Sequence, residues 1–231
     1  MSTVIHGSAR ATARRDRRAA REQAIVAAAR LLLDEGGLRD PRVEDIARAA
    51  GLNKALIYRA FASKDEIFAL AVQSYLDELH ALTDALPPSA EAPEHLRQLL
   101  TVFADFCIAY PAFLDCGLAL IRRPAEELRD TLSESAWFRI SRAIGRCVGS
   151  VQRALEAGIG HGVVVTGDPG FVAGRLLTQM MGTMHLARSG VALGEPTPGA
   201  LHVVALDPEQ VRDACVRDAL AVVHLSPGAR P

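Results

Sequence analysis

The chain has 231 residues, 49% of them hydrophobic and 23% charged, and a formal net charge of −1 at pH 7. It is long enough for one large or two small domains and apolar enough to bury a core, so it reads as soluble and globular. No apolar run approaches the roughly 18 to 20 residues of a membrane span, because the best stretch, 24–33, is interrupted by Arg30.

The near-neutral total hides an asymmetry. The first 64 residues hold 13 Lys and Arg against 7 Asp and Glu, whereas the rest hold 13 against 20. A basic front on an acidic body points to a polyanion met by the front alone. The only two lysines, Lys54 and Lys64, lie in that front. Cys107, Cys116, Cys147 and Cys215 are scattered without a CxxC spacing, which argues against a disulfide framework or a zinc site and for reduced thiols in the cytoplasm.

In chain order, residues 1–13 lack the apolar core of a secretory signal. They imitate a transit peptide in composition but read better as a flexible basic arm. Apolar residues then recur every three or four positions, which predicts an all-α protein with about nine helices. They fall at about 14–35, 42–50, 54–61, 64–85, 94–109, 112–122, 134–157, 169–188 and 208–224.

Asp40-Pro41, Asp168-Pro169 and Asp207-Pro208 each place a capping acid before a proline suited to a first helical position. Ser63 and Glu66 have capping-box spacing. The 87–93 and 194–199 stretches, rich in Pro or Gly, read as loops, and Val163-Val164-Val165 is too short to count as a strand.

Two short helices flank Gly51-Leu52-Asn53, which predicts a helix-turn-helix. Gly51 supplies the left-handed turn and Asn53 the next cap. Ile46, Leu52, Ile57 and Phe61 then pack together, with Ala47 permitting close approach. Lys54 and Tyr58, at i and i+4, are left on one exposed face beside Ala55 and Arg59. Such a face suits a major groove, with Lys54 donating to guanine and Tyr58, Ser63 and Lys64 holding phosphates. The same spacing also suits an ordinary helical hairpin with a solvated lysine.

Residues 43–68, VEDIARAAGLNKALIYRAFASKDEIF, resemble the DNA-binding signature of the tetracycline-repressor (TetR) family of transcriptional regulators. The likeness rests on Ile46, Ala47, Ala50, Gly51, Tyr58, Phe61, Ser63 and Lys64. It implies a DNA-binding unit over 14–63 and a ligand-binding, dimerising body over 64–231. It further implies a repressor that grips a palindromic operator as a dimer and is released by a small ligand.

Leu56 and Ala60 replace polar residues common in the family. Arg42, which stands where a Thr is common, Lys54, Arg59 and the Arg14, Arg15, Arg17, Arg18 group are therefore expected to carry more of the affinity. Glu44 either accepts from a cytosine amine or is a plain first-turn glutamate favoured by the helix dipole.

For the body, the resemblance implies dimerisation through the last two long helices, 169–188 and 208–224. Val211, Cys215, Ala219 and Val223 form one apolar stripe there; Leu176, Leu177, Met180, Met181 and Met184 form another. Both suit either an interface or an internal core. An effector pocket is expected from the family, with Phe103, Phe106, Cys107, Phe113, Trp137, Phe138, Met181 and His185 as candidate walls, each equally suited to core packing.

No cofactor or metal is expected. Gly158-Ile159-Gly160-His161-Gly162 looks like a phosphate loop but follows a helical run rather than a strand, and no nucleophile motif is present, so catalysis is not expected. The rival reading is a degenerate member that binds ligand or protein without reading DNA.

Overall fold

The computed structural model describes residues 3–36, 41–87, 92–160 and 167–224. These residues form ten helices and one two-stranded sheet, and they divide into two compact units. The first comprises 1–74 and 120–140, the second 75–119 and 141–231. The boundary expected at 63/64 falls inside the first unit.

In the first unit, α1 (Thr3–Gly36), α2 (Val43–Ala49) and α3 (Lys54–Ala60) pack on one another, and α4 (Lys64–Asp84) contributes its first half. Ile25, Ala29, Ile46, Ala47, Ile57, Phe61 and Ile67 are buried there, while Leu52 is only half-buried. Removing such side chains from water contributes about 25 cal/mol per Å² of apolar area. The first helix begins at Thr3, not 14, so helix replaces most of the expected arm. The alanines and arginines of that stretch are good helix formers, and no proline interrupts them.

In the remainder of this unit, helices were expected at 112–122 and 134–157, and the short helix between them is the addition. After α6 (Pro111–Ile121), a short helix, α7 (Ala125–Thr131), follows Pro124, and α8 (Glu134–Gly160) begins. Glu126 and Glu127 in the first turn of α7 favour its dipole, a signal too short to register as periodicity. Arg123 Nη1 donates to Asp65 Oδ2 at 3.1 Å, and Arg139 pairs with Glu22.

The second unit packs α10 (Pro208–His224) on α9 (Pro169–Ser189) and α5 (Ala92–Ala109). Its centre holds Phe106, whose ring lies 4.6 Å from Tyr110 and 5.1 Å from Phe113, with Tyr75 and Phe103 around them. Val211, Cys215, Ala219 and Val223 on α10 are buried inside this unit, as are Leu176, Met180, Met181 and Met184 on α9. Of the two readings open for these stripes, interface or core, they are core apart from the half-buried Leu177, because α10 and α9 cover each other and α5.

The loop expected at 194–199 is part of a hairpin. β1 (Val191–Thr197) and β2 (Ala200–Ala205) pair antiparallel, Val191 opposite Ala205 and Leu193 opposite Val203. Pro198-Gly199 makes the turn, with Gly199 at φ 81°. A Pro-Gly pair between two apolar, β-branched runs is a hairpin signal, and helical periodicity is blind to it. Asp40, Val163–Val165, His161 and Gly162 lie outside the described residues, while Gly158 to Gly160 are the last turn of α8.

Candidate nucleic-acid interface

The turn between α2 and α3 is built by local chemistry. The chain leaves α2 at Ala50, whose N–H bonds Ile46 O, and reverses at Gly51 with φ 66°. A side chain there would meet nothing within 4 Å, so glycine is required by the backbone and not by crowding. Asn53 then caps α3, its Oδ1 accepting from Leu56 N at 2.9 Å. Ile46, Ile57 and Phe61 anchor the inner faces, and the outer faces carry the polar groups.

Arg42, Glu44, Asn53, Lys54, Ala55, Tyr58 and Arg59 are all exposed, and Lys54 links Glu44 of α2 to Tyr58 of α3. Tyr58 is 53% exposed. Lys54 Nζ stands 5.8 Å from the Tyr58 ring centroid, within reach of its π-face.

Glu44 is more than a dipole-favoured glutamate. Its Oε1 accepts from Lys54 Nζ at 2.5 Å, and both side chains are 52% exposed. That hydrogen bond holds the Glu44 carboxyl below the usual carboxylate range and pushes the Lys54 ammonium up. The two lie ten positions apart in sequence and meet only because the turn folds α2 beside α3, so no helical spacing reveals the pair.

Ser63 and Lys64 stand apart from this surface chemistry, and both are half-buried. The Ser63 hydroxyl donates to Thr131 O at 3.1 Å and accepts from Glu66 N at 3.1 Å, which engages the proton expected for a phosphate. Glu66 is buried; it accepts from Ala62 N at 2.8 Å and from the Ser133 hydroxyl. Lys64 Nζ lies 5.0 Å from the Phe68 ring centroid.

A cationic concavity completes the surface. Arg14, Arg15, Arg17, Arg18 and Arg21 of α1 and Arg59 and Ala60 of α3 line about 1000 Å³ of open space. Sequence counting picked out Arg14 to Arg18 and Arg59 but not Arg21, which falls on the same helical face one turn on. Six arginines meet there, and among the described residues no acid pairs with them, so the rim presents net positive potential to a polyanion.

The candidate effector walls separate. Phe103, Phe106, Cys107, Phe113 and Met181 are buried in the second unit; His185 on α9 is exposed. Trp137 and Phe138 belong to the first unit, Phe138 being 64% exposed. A cavity of about 20 Å³ in the second unit is lined by Leu79, Thr83, Leu99, Phe103, Cys147, Ser150, Val151 and Leu177. Of these, Phe103 alone was expected, because the other seven are small or aliphatic side chains that converge from separate helices. Among the described residues no three His, Cys, Asp or Glu side chains gather as a metal site.

A tight turn that displays a basic face from two short helices, beside an arginine-lined concavity, defines a helix-turn-helix protein. Residues 25–71 match the family described as bacterial regulatory proteins, tetR family. The chain is 30% identical over 87 residues to the HTH-type transcriptional activator FasR of Mycolicibacterium smegmatis, covering 37% of this chain and 39% of FasR. It is 30% identical over 108 residues to the HTH-type transcriptional regulator RutR of Escherichia coli, covering 45% of this chain and 51% of RutR.

The matches thus span about half the length of these relatives or less. The crystal structure of a TetR-family transcriptional regulator from Agrobacterium tumefaciens shares the fold, with TM-score 0.60 and 23% identity over 90% of this chain and 99% of that one. Residues 25–71 thus carry the sequence signature of the tetR family, and the chain shares the fold of TetR-family structures.

Proposed function

We propose that the protein is a sequence-specific DNA-binding transcriptional regulator that holds a palindromic operator as a dimer, represses, and is released by a small apolar or amphipathic ligand. The observation that carries this reading is the exposed Lys54–Tyr58 face presented by the Gly51 turn. Lys54 donates to guanine acceptors in the major groove, while Tyr58, Arg42, Arg59 and the α1 arginines hold phosphates. Leu56 and Ala60, both half-buried, contribute no polar contact.

Dimerisation places two reading helices roughly 34 to 36 Å apart, one duplex turn. With the apolar stripes of α9 and α10 used as core, the face left to a mate on α9 is Phe171, Thr178, Gly182 and Leu186, all exposed. The effector belongs in the second unit around Phe103. A cavity of about 20 Å³ holds little more than a water, so the ligand must part α4, α5, α8 and α9 to enter. Release follows only if it binds that opened state better than the DNA-bound one.

Titrating the full chain against duplex fragments from beside its own gene at two salt concentrations tests this. One near-palindrome should be selected, with log affinity falling against log salt by about 0.9 per phosphate neutralised. Lys54→Ala should relax preference at one base pair per half-site and cost about 1 to 3 kcal/mol, while Arg59→Ala should weaken all sequences alike. Equal binding to every duplex would leave the ligand-binding module without DNA reading. One matched relative is named an activator, so transcription measured with and without the protein decides the sign.

A further inference from the structure

Two features of the Glu44–Lys54 pair exceed what a guanine-reading lysine requires. A lysine that reads guanine needs no carboxylate beside it, and a carboxylate facing DNA repels phosphates. Yet Glu44 Oε1 and Lys54 Nζ are 2.5 Å apart, both half exposed, on the outer surface of α2 and α3. The backbone at each is anchored: Glu44 sits one residue after buried Val43, and Lys54 directly follows the capping Asn53. The surface therefore offers a donor and an acceptor side by side.

We propose that Glu44 and Lys54 act as one unit that reads a single G·C base pair, Lys54 over the guanine and Glu44 over its cytosine. This rests on the DNA-reading function above and names its specificity. In the major groove a G·C pair shows N7 and O6 acceptors on guanine, then the N4 donor on cytosine. O6 and N4 are Watson–Crick partners, separated by about one hydrogen-bond length, which matches the spacing of the ion pair.

The ammonium finds two acceptors and the carboxylate finds the amine. An A·T pair also sets a donor beside an acceptor, but there the carboxylate over adenine N6 would face the N7 acceptor alongside and be repelled. A reversed C·G pair puts acceptor against acceptor and donor against donor. The Lys54–Glu44 attraction also withholds the ammonium from ordinary phosphates, so that affinity is gained only where both halves are matched.

The test selects an operator from a random duplex library with the full chain. Binding is then measured for the wild type, Lys54→Ala, Glu44→Ala and the double variant on operators altered at each position, with thermal unfolding of every variant as a control. The wild type should demand G·C at one position per half-site, losing at least about tenfold in affinity for any other pair. Both single variants should lose discrimination at that same position, and the double variant should lose no more than either.

Glu44→Ala shifting affinity equally on every operator overturns the proposal, as does relaxation at a different base pair from Lys54→Ala. A wild type that selects an operator but tolerates every base pair at that position also sinks the paired reading, and leaves DNA reading standing. A wild type that selects no sequence sinks both.

Discussion

The α2–α3 turn and the α9–α10 pair repeat the same four-residue spacing and turn it in opposite directions. Lys54 and Tyr58, four residues apart on a seven-residue helix, face solvent, whereas Val211, Cys215, Ala219 and Val223, at the same interval on a longer one, face inward. In the short helices a single turn of apolar residues, Ile46 and Ile57, suffices to anchor each element, and the other face is free for polar groups. In the long helices two neighbours are available to each stripe, so the stripe is consumed internally. Spacing tells which residues share a face; the neighbours decide what the face meets.

The widest separation between the regions should appear in stability. Phe113 is 2% exposed and touches the rings of Tyr75, Phe103 and Phe106, so Phe113→Ala should cost about 3 to 5 kcal/mol in urea unfolding. A loss under about 1 kcal/mol would show that this cluster is not close-packed core.

Gly51→Val tests the turn itself. With open space around the position, the penalty is backbone strain alone, roughly 1 to 2 kcal/mol, and Gly51→Asn should recover much of it. Equal penalties for the two would assign the effect to crowding.

Tyr58→Ala is the counterpart of the Phe113 change. Being half exposed on an outer face, it should move stability by no more than about 0.5 kcal/mol while weakening operator binding, as read in parallel unfolding and gel-shift titrations. A large loss of stability would place Tyr58 in the core.

A pH trend is carried by the second unit. Burial pushes the Cys147 and Cys215 thiols up to about 11 from 9.0. Their raised folded values mean that the unfolded chain releases protons first. The contribution is therefore full below pH 9 and lost as pH rises towards 11. Urea midpoints should drift downward over that window, and replacing both thiols by alanine should reduce the drift without abolishing it, because burial also pushes the Cys107 thiol up.

Local rules read much of the interface from sequence because its key positions are set within four residues. Asn53 caps Leu56, Gly51 turns left-handed, and Ile46, Ile57 and Phe61 point inward. The Glu44–Lys54 pair was hidden because its partners are on different helices. Ser63 was read as a phosphate ligand because its bond to Thr131 spans 68 positions. The hairpin was missed for a different reason: its signal has a period of two and was searched with a period of three to four.

From the amino-acid order alone follow the helical class, the helix-turn-helix and its exposed basic face, since each depends on periodicity, caps and a glycine within a single turn of chain. Only the tertiary structure decided that α9 and α10 spend their apolar stripes within one subunit. It also decided that residues 120–140 fold with the helix-turn-helix unit, and that Lys54 reaches the surface already bonded to Glu44. The physical reason is common to all three: side-chain burial and ion pairing depend on which elements become neighbours, and that is settled by long-range packing, which no local spacing encodes.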